Sequence, residues 1–296
     1  LGLVVAGSIV GCSQTVIVFK PNKFVDPLPD LSPKTGQEQA DPLAKEQWNL
    51  KKVGVDEAAL SSAALQGNYN VKVAVLSTGV DYNHEDLVGQ IAVNKAELTQ
   101  TAPGDKLGVN RKDDDGNGLI DDVVGYDVVN NDGFAYDRHG AGTAVAGIIA
   151  ARQNNGLGIS GLMREVVIYP VKYINDNGQS TVPNLISALE IALKSKSDVV
   201  YVQNAQLKIG GDQQKQDVGA VELEMVKQAL QKLKDAKIPV VVGSGDDMGD
   251  FGSTEMDKVL RSFDNVIVVT SSDSSDAIGF MANFSFRNVL TAAPGE

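Results

Sequence analysis

The clearest ligand chemistry in the chain lies in one acidic stretch. Asp113-Asp114-Asp115-Gly116-Asn117-Gly118-Leu119-Ile120-Asp121-Asp122 sets side-chain oxygens at alternate positions around glycines that permit a sharp turn. Asp113, Asp115, Asn117 and Asp121 match positions 1, 3, 5 and 9 of an EF-hand-type loop, with the Leu119 carbonyl at position 7. Val124 stands where that loop carries its bidentate Glu. Five Asp so close repel one another unless a cation lies among them. The spacing therefore predicts structural calcium held by Asp113, Asp115, Asn117, Leu119 and Asp121, with a solvated acidic turn as the alternative.

Other reactive side chains are few. The chain has two histidines, His84 and His139, and one cysteine, Cys12, so it holds no internal disulfide. Leu1 to Val10 is apolar and rich in small residues, and Ile9-Val10-Gly11-Cys12 follows it. This resembles a bacterial lipobox, in which the Cys is lipidated and becomes the mature first residue; a short buried strand with a free thiol is the alternative. The stretch is too short to span a bilayer and lacks an initial Met and basic flank, so it reads as the remnant of a signal peptide, residues 1–12. Ser13 after the Cys favours the outer membrane of a bacterial envelope. Residues 13–40, rich in Pro, Lys, Asp and Gln, read as an extended tether.

The elements that must position any site come next. The 296 residues are 43% hydrophobic and 22% charged, enough to bury a large α/β core. A formal net charge of -12 argues against nucleic acid or anionic lipid as the main partner. Val71 to Leu76 reads as a buried strand running into the turn Ser77-Thr78-Gly79. Val166 to Ile174, Val199 to Val202, Pro239 to Val242 and Val266 to Val269 are further strands. Between them lie a helix over Pro183 to Lys196, with Ile186, Leu189 and Leu193 on one face, and another over Val218 to Ala236. The second is expected to bury Val218, Val221, Met225, Ala229 and Leu233. Alternating strands and helices imply a mostly parallel sheet with helices on both faces. Functional groups then gather beyond the strands' C-terminal ends, where Ser77-Thr78-Gly79 and Gly243-Ser244-Gly245-Asp246 fall.

Four segments, in order and at matching spacing, resemble the subtilase family of serine proteases. Asp41-Pro42-Leu43 with Glu46-Gln47-Trp48-Asn49-Leu50 is similar to the entry into its catalytic domain. Val73 to Leu87 resembles the segment around the catalytic Asp, normally D-T-G. Gly140-Ala141-Gly142-Thr143-Ala144-Val145-Ala146-Gly147 resembles the G-H-G-T-H-V-A-G helix of the catalytic His, and Ala292-Ala293-Pro294-Gly295 the A-P-G before the catalytic Ser. The resemblance implies a subtilisin-like three-layer fold over residues 41–296, with its C-terminal part missing and the nucleophilic Ser beyond Glu296.

It also implies lost chemistry. The family's Asp corresponds to Ser77, its catalytic His to Ala141, its second His to Ala144 and its oxyanion-hole Asn to Asp246. Ser77 has no charge to steady an imidazolium, Ala141 cannot take a proton, and a carboxylate at Asp246 would repel an oxyanion. His84 matches a structural His of the family, and His139 is offset by two residues from Ala141. Gln203-Asn204-Ala205 stands where the family has the S-L-G that borders its peptide groove, followed by a polar insertion through Gly210-Gly211-Asp212. The expectation is a pseudoprotease lipoprotein that binds a peptide or protein as a scaffold module. A serine-type endopeptidase is the alternative that the resemblance alone implies, and an eroded, non-functional remnant is a third. For the lipid anchor, radiolabelled palmitate should enter the expressed protein and Cys12→Ala should abolish the label; an unlabelled wild-type protein removes the anchor.

Overall fold

The computed structural model describes residues 29, 39–55, 71–98, 110–203, 218–285, 287, 289 and 291–295. Cys12, the tether up to residue 38 apart from residue 29, and the Asn204 to Asp212 stretch lie outside the described residues. The architecture is a three-layer α/β sandwich around seven parallel strands. They are β1 Val71–Ser77, β2 Tyr126–Asp127, β3 Val166–Lys172, β4 Val199–Val202, β5 Val240–Gly243, β6 Val266–Ser272 and β7 Thr291–Pro294, in the order β2-β3-β1-β4-β5-β6-β7. The helices are α1 Trp48–Lys52, α2 Ala141–Ala150, α3 Val182–Lys194, α4 Ala220–Asp235 and α5 Glu255–Leu260.

Strand β1 lies in the interior of the sheet because both its faces are apolar. Alternate side chains on a strand point to opposite sides. Val73 and Val75 join Ala146 and Ala150 of α2 in one core, with Val166 and Ile168 of β3. Ala74 and Leu76 face the other core, built from Leu185, Leu189 and Ala192 of α3 and Val226, Leu230 and Leu233 of α4. In-register pairing of Val71–Ser77 with Val166–Lys172 aligns the C-terminal ends of β1 and β3, so Ser77 lies opposite Lys172. A parallel sheet covered on both faces needs such unbroken apolar runs.

The strand and helix readings hold to within a few residues, and α3 starts with Thr181 accepting the Asn184 amide at 3.3 Å. The expected stripe on α4 needs correction. Its buried residues are Val226, Ala229, Leu230 and Leu233, while Val221 is 75% and Met225 47% exposed. Repeated steps of four residues advance about 40° around a helix each time, so a stripe from Val221 through Met225 drifts off the face that packs. The observed set uses steps of three and four and stays on one face. Strand β2 has too few residues to express a period, and Thr-Ala-Ala-Pro of β7 lacks the run of β-branched residues that marks β4 and β5.

Candidate active site

The end of β1 and the start of α2 are joined by a single buried carboxylate. Asp137 Oδ1 accepts the Thr78 hydroxyl and the His139 and Gly140 amides, each at 2.9 Å. Its Oδ2 accepts the Thr143 amide at 3.0 Å and the Thr143 hydroxyl at 2.6 Å. The Gly142 amide in turn donates to Thr78 Oγ1 at 3.0 Å, and the Asp81 amide to Thr143 Oγ1 at 2.9 Å. These bonds satisfy amides that the first turn of a helix leaves without partners and set a negative charge at its positive end. Burial opposes ionisation of Asp137, but the Thr143 hydroxyl and the amides outweigh it and hold the carboxyl below its ordinary value. Glycine is required where the two segments touch. A β-carbon on Gly142 would lie 1.9 Å from the Gly79 carbonyl and 3.0 Å from Ser77 Oγ. Sequence reasoning missed Asp137; an Asp just ahead of a helix start is the signal that could have found it.

Ser77 is fully buried at the tip of β1. Its hydroxyl donates to Gln203 Oε1, and its carbonyl accepts the Tyr173 and Ile174 amides at 3.0 and 3.1 Å. The Gln203 amide donates to the Leu76 carbonyl at 3.0 Å, and the Gln203 carbonyl accepts the Tyr173 hydroxyl. The result is a neutral network of hydroxyl, amide and phenol. Ala141 is the first residue of α2, half-buried, with Gly140 before it in the left-handed region at φ 99°. Lys172, opposite Ser77, is buried, and its ammonium donates to the Tyr136 carbonyl at 2.9 Å and to Asp176 at 2.5 Å.

Neither histidine bonds to Ser77. His84 Nδ1 accepts the Asp86 amide at 3.2 Å and so caps the short 3-10 turn Glu85–Leu87. His139 Nε2 lies 3.3 Å from the point where a β-carbon on Gly178 would stand, against the loop after β3. Asp246 is exposed beyond β5, in a loop organised by Asn283. Asn283 Oδ1 accepts the Gly249 amide at 2.6 Å and the Asp247 amide at 3.2 Å, while its Nδ2 donates to the Ser244 carbonyl at 3.0 Å. Burial, with the Asp246 charge added, raises the Tyr201 phenol above its ordinary value.

The acidic stretch folds into two sets of carboxylates. Asp113 accepts the Gly116 and Gly118 amides at 2.7 Å and the Asn117 amide at 3.1 Å, and Asp121 accepts the Asn110 and Arg111 amides at 2.9 Å. Asp113 closes its own turn, and Asp121 reaches back to the amides of residues 110 and 111. Asn117 Oδ1 accepts the Leu119 amide at 2.7 Å. Among the described residues, the group able to hold a metal ion is Glu97, Asp115 and Asp122, each offering an oxygen within 4.8 Å of the others. Of the expected carboxylate ligands Asp113, Asp115 and Asp121, Asp115 alone belongs to it, and the Asn117 side-chain amide donates to Asp115 and Asp122 at 3.2 Å. Glu97 is fully buried, takes the Asp114, Asp115 and Asp121 amides at 2.8, 3.2 and 3.1 Å, and is missed by any loop motif. Burial pushes Glu97 and Asp122 up, and their neighbours' negative charges add to it. Hard oxygen donors with uncompensated like charge fit a cation such as calcium.

Comparisons with known proteins agree with this architecture. A sequence profile described as the Subtilase family matches residues 68–296. Subtilisin-like protease 1 of Plasmodium berghei (strain Anka) is 33% identical over 154 residues, 52% of this chain and 24% of that protein. The thermophilic serine proteinase of Bacillus sp. (strain AK1) is 28% identical over 230 residues, 78% of this chain and 45% of that protein. The chain thus spans less than half the length of either relative. The crystal structure of the epidermin leader peptide processing serine protease from Staphylococcus aureus superimposes with a TM-score of 0.60 at 18% identity, covering 89% of this chain and 61% of that one. That likeness establishes a subtilisin-like fold. Asp137→Asn should lower stability by about 2–4 kcal/mol in urea unfolding. Because its carboxyl is held below the ordinary value, the wild-type contribution should be full above pH 3.8 and fade as pH falls below it; equal wild-type and variant curves at neutral pH would refute the role.

Proposed function

The chain belongs to the subtilase family, and on that premise we propose that it is a pseudoprotease, a peptide- or protein-binding scaffold module tethered to a bacterial envelope by lipid on Cys12. One observation carries the reading. The residue corresponding to the family's catalytic Asp is Ser77, its hydroxyl tied to Gln203, and the residue corresponding to the catalytic His is Ala141. Triad chemistry needs a base to take the nucleophile's proton and a carboxylate to steady the resulting imidazolium. Ser77 supplies a neutral dipole and Ala141 a methyl group. The buried Lys172 ammonium, held by Tyr136 and Asp176, is a poor substitute base. In serine proteases of this kind, loss of triad members costs about 10⁴ to 10⁶ in turnover. An acidic Asp246 in place of the oxyanion donor removes about a further 10² to 10³.

The fold-bearing residues support a retained scaffold. Gly79, Gly142, Thr143 and the Asp137 carboxylate keep β1 locked to α2, so a surface remains for a partner even without turnover. Peptide capture by strand addition beside the segment that follows β4 would use backbone groups, which substitution of the triad leaves intact. Residues 1–12 are then a signal-peptide remnant, 13–40 a tether and 41–296 the binding domain at the outer membrane. Calcium is proposed as a structural ion at Glu97, Asp115 and Asp122, where it would offset three crowded carboxylates.

The second reading, a serine endopeptidase, is favoured by the names of the matched relatives, each a protease. A single assay separates the two. Purified protein extending past Glu296 should leave labelled casein intact and stay unlabelled by a fluorophosphonate probe; cleavage that the probe abolishes would establish the endopeptidase. For the ion, calcium should raise the melting temperature by several degrees and Asp122→Asn should erase the rise. A melting temperature indifferent to calcium and to chelator leaves the cluster without a metal role.

A further inference from the structure

The C-terminal ends of three neighbouring strands carry a polar row on one face of the sheet. Asp127 of β2 pairs in register with Lys172 of β3, which pairs in turn with Ser77 of β1. Residues paired in this way across neighbouring strands put their side chains on the same side. Asp127 and Lys172 are buried, at 0% and 2% exposure. The Lys172 ammonium is committed elsewhere, to Asp176 at 2.5 Å and the Tyr136 carbonyl at 2.9 Å. The Asp127 carboxylate turns instead to one residue at the surface. Its Oδ1 accepts the Asn130 backbone amide at 2.8 Å, and its Oδ2 accepts the Asn130 side-chain amide at 2.7 Å.

Residues 128–131 form the turn tied down by those two bonds. Across its base Asp127 and Asp132 exchange backbone hydrogen bonds at 2.8 and 3.1 Å, while Val129, Asn130 and Asn131 are exposed. Both Asn130 groups are donors, so this geometry belongs to the ionised carboxylate, which only accepts. A proton on either oxygen sets an O–H against an N–H and removes one of the two bonds. Burial raises the Asp127 carboxyl to about 6; Asn130 and the Lys172 charge act the other way, and the Asp132 charge adds to the rise. The titratable groups that face it are Lys172 from β3, Asp132 across the turn and Tyr126 on its own strand, with Asp176 acting through Lys172. Burial holds the Tyr126 phenol above its ordinary value, so it stays neutral.

We propose that Asp127, Asn130 and Lys172 form a pH-sensitive latch on the turn of residues 128–131. At neutral pH the carboxylate holds the turn shut, and protonation in mild acid releases it. The latch is independent of whether the chain cuts peptides. Its release is local. A carboxyl held above 3.8 contributes overall stability that is full below pH 3.8 and lost as pH rises through about 6, so acid frees the turn while favouring the folded sheet. The test is amide NMR on the purified ¹⁵N-labelled chain, titrated from neutral pH into mild acid. The Asn130 amide should shift with a midpoint of about 6. Its exchange protection should fall about tenfold through that midpoint, while Val73 and Val75 of β1 keep theirs. Asp127→Asn should abolish the transition. Asp176→Asn, at an exposed position, leaves the Lys172 charge to Asp127 and should lower the midpoint. A midpoint at 3.8 or below, a transition that persists in Asp127→Asn, or unchanged protection at Asn130 overturns the latch. So does loss of protection throughout β1, since acid then unfolds the sheet. If Asp127→Asn melts early, Asp176→Asn decides, and an unmoved midpoint refutes the proposal.

Discussion

The Asp137 carboxylate is the constraint on which the functional end of this molecule depends. A parallel strand ends by aiming its last residues out of the sheet, and a helix begins with amides that have no partner in their own turn. Asp137 answers both needs at once, taking the Thr78 hydroxyl from the strand side and three amides with the Thr143 hydroxyl from the helix side. Gly142 lets the backbones close to a distance that any side chain would block. The relation between Ser77 and the first turn of α2 follows from that joint. It is independent of whether the residues presented there can do chemistry.

The joint therefore forms around neutral side chains. Ser77, Gln203 and Tyr173 satisfy one another by hydrogen bonds without any ion. A buried charge at this point would need a partner, whereas a hydroxyl needs a single acceptor. Charge is concentrated elsewhere, in the Glu97, Asp115 and Asp122 cluster. The tip of β1 is therefore neutral, and carboxylates gather away from it.

The sheet and its two covering helices were legible from residue order because long buried elements repeat their period many times. Val73 to Leu76 announces a strand buried on both sides, and Leu185 to Ala192 a helix with a packed face. Motif spacing singled out Ser77, Ala141 and Asp246, which the structure sets at the end of β1, at the start of α2 and in the loop beyond β5. On α4, by contrast, residue spacing alone selected Val221 and Met225 in place of Val226 and Leu230. A helix rich in apolar residues offers more than one plausible stripe, and the neighbour against which it packs chooses among them.

What the sequence by itself determined is the class of fold, the order of its segments and the residue types at the family's reactive positions. These depend on local periodicity and on residue identity, which the chain states directly. Tertiary structure decided which side chains meet. It brought Glu97 and Asp122 to Asp115 while Asp113 and Asp121 turned to backbone amides, and it tied Ser77 to Gln203 across 126 residues. Contacts of that kind arise where separate segments are pressed together by a shared core, and no local pattern encodes the partner.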